Sequence, residues 1–262
     1  MRWQDAIRSF VPPIFVELNR LAGDFDNPVG LWHYWQARRK CAHDAYITWL
    51  CQVTGGWLSP KSGNIQAFYH AISRLPPSTG ILEVGSFLGL STNIISYLMH
   101  KLSCDAGFFS SDPWIFESTE EPIGGFFDAA SPDYRRYVKE TFLANGRIYG
   151  GTKRSHAFEL ASDDFFVRWG EAGEQVDLYE RSVRFGGGLG FVYIDGNHTH
   201  EQSRRDFENS DRFLVPGGFV LFDDSADAGQ HEGCRRTVAE VVATGRYRRV
   251  FRQPNYFFQK LR

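Results

Sequence analysis

The chain has 262 residues, 42% hydrophobic and 23% charged, with a formal net charge of −2. That length suits one large α/β domain with a helical extension and is short for two independent domains. The near-neutral balance offers no general field for nucleic acid or an anionic membrane, and no stretch approaches the ~20 apolar residues of a membrane span.

The four cysteines, Cys41, Cys51, Cys104 and Cys234, form no CxxC pair and read as scattered thiols of a reducing compartment. Pro12-Pro13 interrupts the one apolar patch near the N-terminus, so no leader is expected and the protein reads as soluble and cytoplasmic. Residues 1–78 read as a helical, aromatic extension carrying Trp32, Trp35, Trp49 and Trp57. Ile65, Phe68, Ile72 and Leu75 recur at helical spacing and predict a helix from Asn64 that Pro76-Pro77 ends. The extension is a candidate cap or homodimer surface, and plain helix packing accounts equally well for any single aromatic.

From Gly80 a strand over Ile81–Val84, a turn from Gly85 to Gly89 and a helix over Leu90–His100 are expected. A glycine-bounded turn entering a helix gathers backbone N–H groups around a small polar or anionic ligand. Ser86 lies inside that turn and Ser91 in the first helical turn. The spacing is GxxxG, which fits neither the GxGxxG of dinucleotide binders nor a P-loop. A second strand, Gly107–Ser111, closes on Asp112-Pro113-Trp114. Asp112 is placed to bind both hydroxyls of a ribose and Trp114 to offer a flat face to an adenine; the plainer role for Asp112 is a turn residue before proline. Glu117–Ala130 reads as a mobile loop beside the ligand. Ser131-Pro132 opens a helix through Ala144 with Gly146 as its stop, and Arg147–Gly151 is the expected third strand, followed by Ser155 and His156. Phe165–Gly188 reads as a helical insertion ending in a glycine hinge.

The densest stretch is Phe191–Ser225. Phe191–Ile194 and Phe219–Phe222 are unbroken apolar runs that stop on Asp195 and on Asp223-Asp224, the pattern of interior parallel strands. Thr199 and Gln202 form the signature of a capping box at the start of the helix between them, and Pro216-Gly217-Gly218 supplies the turn into the second strand. A strand–helix–strand unit makes the strands parallel, so the three aspartates leave one edge of the sheet. Any one of them alone reads as a loop or helix cap. Three at adjacent strand ends read as ligands of a hard divalent cation such as Mg²⁺. Cys234–Ala243 is then helical, and Tyr247–Phe251 with Asn255–Gln259 form a closing hairpin across Pro254.

Together, GILEVGSFLGLST, Asp112, YIDGNHTHEQSRRDF and PGGFVLFDD resemble class I S-adenosylmethionine-dependent methyltransferases. More narrowly, they are similar to the metal-dependent O-methyltransferases related to the macrocin and mycinamicin sugar methyltransferases and to catechol O-methyltransferase. The resemblance covers residues 79–262 apart from the insertion near 165–188. It implies an α/β fold: a Rossmann-like, seven-stranded, mostly parallel sheet with helices on both faces and an antiparallel C-terminal hairpin. It implies a cofactor site made by Glu83, Gly85, Ser86, Gly89 and Ser91, with Asp112 and Trp114 at the nucleoside and Ser155 and His156 beside the adenine. Asp195, Asp223 and Asp224 match the family's metal ligands.

Sugar methyltransferases of the macrocin group place a second aspartate two residues after the first. This chain has Asn197 there, and an amide nitrogen is no base. His198 aligns with the catechol enzymes' catalytic lysine and is the expected base, whereas His200 reads as helix decoration. The expected reaction is Mg²⁺-assisted transfer of a methyl group to a small hydroxylated molecule, a sugar or vicinal diol before a catechol. Two rival readings are an oxidoreductase on the same layered fold, disfavoured by the glycine spacing, and a non-catalytic binding module, disfavoured by the clustered carboxylates.

Overall fold

The computed structural model describes residues 28–116, 128–227, 229 and 231–262; most of the expected mobile loop, residues 117–127, lies outside them. Three helices come first: α1 (Pro28–Cys41), α2 (Ala45–Val53) and α3 (Gly63–Ser73). β1 (Gly80–Val84), α4 (Leu90–Lys101), β2 (Phe108–Ser111), α5 (Pro132–Tyr149), β3 (His156–Phe158) and α6 (Ser162–Glu171) follow. A small hairpin, β4 (Gly173–Val176) and β5 (Ser182–Phe185), leads to β6 (Leu189–Ile194), α7 (His200–Phe213) and β7 (Leu214–Phe222). The described chain closes with α8 (Glu232–Ala243), β8 (Tyr247–Arg252) and β9 (Tyr256–Lys260).

The main sheet has seven strands in the order β3-β2-β1-β6-β7-β9-β8. The first five run parallel, and β9 and β8 are antiparallel, as expected from the closing hairpin. Successive residues of each central strand enter different cores. Ile81, Phe191, Tyr193, Phe219 and Leu221 meet Ile65, Phe68 and Ile72 of α3 and Ile94, Ile95 and Leu98 of α4. Leu82, Val192, Ile194, Val220 and Phe222 meet Phe165 and Trp169 of α6, Phe207 of α7 and Val241 of α8. With apolar layers on both faces, no strand position needs to be polar, which explains the unbroken apolar runs.

Three local expectations are corrected. Helix α5 continues to Tyr149, so the third strand is His156–Phe158 and does not occupy Arg147–Gly151. Gly146 fails to stop the helix because it serves packing: a Cβ there would lie 2.0 Å from the Tyr179 hydroxyl. The segment 165–188 is helical only in its first part. Helix α6 returns the chain from β3 toward β6, and the remainder is the antiparallel β4–β5 hairpin. The expected hinge there is tied down by Trp169, whose Nε1 donates to the Gly187 carbonyl at 3.0 Å. Finally, Pro216-Gly217-Gly218 lies within strand β7.

Helix α3 therefore forms part of the sheet's own core. Phe68, 0% exposed, meets Tyr193 edge-on at 4.9 Å between ring centroids. Phe68→Ala is expected to cost about 3–5 kcal/mol, measured by urea denaturation. A loss below about 1 kcal/mol would mean that α3 is dispensable to the sheet.

Candidate active site

Crossovers from β1 lead outward to β2 and β3, whereas β6 and β7 extend the sheet the other way. The carboxyl ends of β1 and β6 thus flank the point where strand order reverses, the usual crevice for ligands in open α/β sheets. Gly85 follows β1 with φ +82°, and a Cβ there would lie 2.0 Å from the Asp195 carbonyl oxygen. Only glycine allows this backbone conformation at so close an approach. The glycine turn and the first acidic strand end are consequently in direct contact. Gly89, φ +88°, is the N-cap of α4, and its N–H donates to the Ser86 carbonyl at 2.8 Å.

Glu83 lies at the base of this turn and is 0% exposed. Its Oε2 accepts from Thr92 Oγ1 at 2.5 Å, while Oε1 has no hydrogen-bond partner, nor does the buried Ser86 hydroxyl. Burial pushes the Glu83 carboxyl from 4.5 up to about 7, against the opposing pull of the Ser91 and Thr92 hydroxyls. A buried carboxylate with a vacant oxygen beside a glycine cradle fits a cationic amino group.

Asp112 takes the turn role that the sequence also offered. Its Oδ2 accepts from the backbone N–H groups of Ser86 at 2.7 Å and Phe87 at 2.9 Å, and its Oδ1 from Trp114 N–H at 2.6 Å. Three of roughly four lone-pair sites are thereby used, so Asp112 locks the glycine turn onto the end of β2. Trp114 is 1% exposed; its ring packs on Phe142 and its Nε1 donates to the Phe87 carbonyl. It is an interior anchor with no open face. The aromatic exposed at this turn is Trp57, 80% accessible and stacked on Phe87 with centroids 5.4 Å apart.

Ser155 and His156 lie at the start of β3, at the opposite end of that strand from the crevice, because the strand begins later than expected. Ser155 Oγ pairs with Ser110 Oγ at 3.0 Å, and His156 Nδ1 with Asp177 Oδ2 at 2.8 Å. The residue that leaves β3 toward the crevice is Glu159, held by Arg135 at 3.1 Å and Lys139 at 2.5 Å. The boundary error hid it.

Of the acidic strand ends, Asp195 and Asp223 lie side by side, while Asp224 turns toward His198 and His231. Asp195 N–H donates to the Val84 carbonyl and Asp223 N–H to the Ile194 carbonyl, each at 2.8 Å, so the ladder continues one residue past the strands. Asp195 is pushed well above the usual carboxylate range, first by burial and then by Asp223 and Asp224. Tyr193 donates its hydroxyl to Asp195 Oδ2 at 3.0 Å. Asp223 Oδ1 accepts from Asn64 Nδ2 at 2.6 Å and also from Asn255 Nδ2. Asp224 takes φ +48°, uncommon for a non-glycine residue and a feature of strained functional positions. Among the described residues no lysine or arginine pairs with this trio. Carboxylates with imidazoles and neutral donors around them are of the type that ligates a divalent cation, and among the described residues the group whose ligand atoms all lie within 4.8 Å of one another is His198, Asp224 and His231.

His198 Nε2 lies 3.3 Å from Asp224 Oδ2 and 3.9 Å from Asp195 Oδ1. Burial lowers its pKa and Asp224 opposes that shift. His231, at the N-cap of α8, brings its Nε2 to 3.4 Å from the same Asp224 oxygen. His200 pairs with Glu240 at 2.9 Å on the outer side, a structural contact. Asn197 accepts from Thr199 N–H at 2.8 Å and shapes the turn. The Thr199 cap is half of a capping box: Thr199 Oγ1 accepts from Gln202 N–H, but the Gln202 amide turns instead to Ser162 and Asp206.

The raised Glu83 value sets a stability prediction. A carboxyl whose folded-state pKa lies above its unfolded value contributes stability below the unfolded pKa and loses it as pH rises through the folded one. The ligand-free protein should therefore lose on the order of 3 kcal/mol from this group between pH 4.5 and about 7. Glu83→Gln should match the parent near pH 4.5 and exceed it above pH 7 in denaturant titrations. An identical pH profile for both proteins would mean that Glu83 is not held in this environment.

No curated protein matches this sequence. By structure the chain is similar to the O-methyltransferase NovP, with 15% identity, TM-score 0.50, and 76% of this chain and 80% of that one covered. It is similar to the calicheamicin methyltransferase CalS11 at 15% identity and TM-score 0.54, covering 91% and 96%. The apo form of CalS11, described as a TDP-rhamnose 3'-O-methyltransferase, gives TM-score 0.51 over 89% and 95%. At such identity these likenesses establish the fold. A family model for a methyltransferase domain matches residues 82–225, more than half of the chain and every acidic residue of the crevice, and the chain belongs to that methyltransferase family.

Proposed function

We propose that this methyltransferase takes its methyl group from S-adenosylmethionine and delivers it to a hydroxyl of a small molecule. Asp195, Asp223 and Asp224 are the residues that would hold Mg²⁺ or another divalent cation. The observation that carries the reading is the contact between Gly85 and the Asp195 carbonyl, which makes the glycine cradle and the acidic cluster one continuous site. The buried Glu83 carboxyl, its Oε1 unpaired, matches the charged methionine end of the donor. Asp112 serves the nucleoside mainly by holding the turn in shape.

A neutral hydroxyl is a poor nucleophile toward a sulfonium methyl group. A dication held there would supply Lewis-acid chemistry, lowering the pKa of the acceptor hydroxyl. The chain's own work is to present three carboxylates at one edge, to fix Asp223 through Asn64 and Asn255, and to take up the proton. His198, whose Nε2 faces Asp224 and Asp195, is the proposed base. A sugar or vicinal diol of a natural product or surface glycan is the proposed acceptor. The fold shared with CalS11, described as acting on TDP-rhamnose, supports that class over a catechol.

The test is methyl transfer from labelled donor to a panel of sugar nucleotides and glycosides, with and without chelator. Asp195→Asn should lower metal-dependent turnover roughly 100-fold while S-adenosylhomocysteine still binds in calorimetry. Undiminished transfer in chelator would remove the cation from the reaction. His198→Gln should also slow turnover, by about 10²-fold or more; wild-type rates at every pH would exclude His198 as base.

A further inference from the structure

We infer that His198, Asp224 and His231 form a transition-metal site at the mouth of the crevice, and that Zn²⁺ bound there blocks methyl transfer. Three segments supply it: His198 follows β6, Asp224 follows β7 and His231 starts α8. Their ligand atoms all lie within 4.8 Å of one another. Both imidazole nitrogens face the same oxygen, with His198 Nε2 at 3.3 Å and His231 Nε2 at 3.4 Å from Asp224 Oδ2. Tetrahedral coordination with ligand bonds of about 2.0–2.1 Å has edges of about 3.3–3.4 Å, so two edges of the tetrahedron are already in place.

The His198 nitrogen is buried and makes no hydrogen bond despite this approach. The two rings meet at 4.2 Å and 60°, so they converge without stacking. The side chains of His198, Asp224 and His231 keep 32%, 42% and 40% of their surface, enough for an ion to enter from solvent.

The donor set selects the ion. Two imidazoles and one carboxylate suit Zn²⁺ with one position left open, whereas Mg²⁺ favours an all-oxygen shell. Filling this site takes Asp224 from the carboxylate trio and covers the proposed base. Zinc occupancy and Mg²⁺-assisted chemistry are therefore mutually exclusive. This blocking effect rests on the proposed function; the zinc site itself does not.

The experiment uses the full chain stripped of metal. Zn²⁺ is titrated by calorimetry in excess Mg²⁺, and Co²⁺ is followed by visible absorption as a reporter of coordination geometry. One Zn²⁺ per chain and intense four-coordinate Co²⁺ bands are expected. His231→Gln and, separately, His198→Gln should weaken Zn²⁺ binding at least about tenfold, and Asp223→Asn should not weaken it. Melting temperature and S-adenosylhomocysteine binding confirm that each variant is folded. Unchanged binding in both histidine variants, an equal loss in Asp223→Asn, or weak six-coordinate Co²⁺ absorption would overturn the site. In turnover assays, Zn²⁺ should inhibit over its binding range, and His231→Gln should need at least about tenfold more. Zinc that binds without inhibiting would overturn the blocking effect. Absence of donor binding and of transfer without zinc would instead count against the methyltransferase reading of the site and leave the titrations intact.

Discussion

The site depends on the register of three parallel strands. Val84 pairs with Ile194 and Ile194 with Phe222, and the next backbone hydrogen bonds join Asp195 to Val84 and Asp223 to Ile194. Adjacent strands lie about 5 Å apart, so this register alone makes two aspartates lateral neighbours beside the turn after β1. A slip of one residue would reverse every side chain of the strand. It would exchange the residues that meet α3 with those that meet α7, and both layers are bulky and closely packed. The two hydrophobic cores thus hold the acidic edge in place.

Such an edge is electrostatically unfavourable in isolation. Glu83 and Asp195 are both forced toward protonation, chiefly by burial. The surrounding donors are mostly neutral: the Tyr193 hydroxyl on Asp195, two amides on Asp223, and two imidazoles beside Asp224. A fold that needed only stability would gain more from apolar residues of similar volume. Among the described residues, carboxylates without a lysine or arginine partner therefore stand on both sides of one glycine turn.

Much of this was legible in the chain because it is local. The Asp-terminated apolar runs, the GxxxG turn and the Thr199 cap each depend on a few neighbouring residues, and each lies where expected. Errors arose where tertiary packing overrode a local signal. Gly146 looked like a helix stop, yet it accommodates Tyr179 from a segment far along the chain, so α5 ran on and Ser155 and His156 moved to the wrong end of β3. Trp114 looked like a ligand platform, yet Phe142 of α5 and the Phe87 carbonyl hold it in the interior. His231 joins Asp224 only because a loop folds back after β7, and no spacing rule signals that.

The same reasoning changes the meaning of the N-terminal helices. Asn64, at the start of α3, donates to Asp223 and accepts from Asn255, which precedes β9 and whose side-chain Oδ1 accepts from Ser225 N–H. One carboxylate of the acidic edge is thereby gripped by residues 159 positions before it and 32 positions after it. Both asparagines are buried, and an unpaired amide there would leave polar atoms unsatisfied in the interior. The Asp223 carboxylate can take this orientation only when the helical layer and the C-terminal hairpin have both docked on the sheet. The helical layer and the C-terminal hairpin, both remote from the glycine turn, thus share in fixing Asp223.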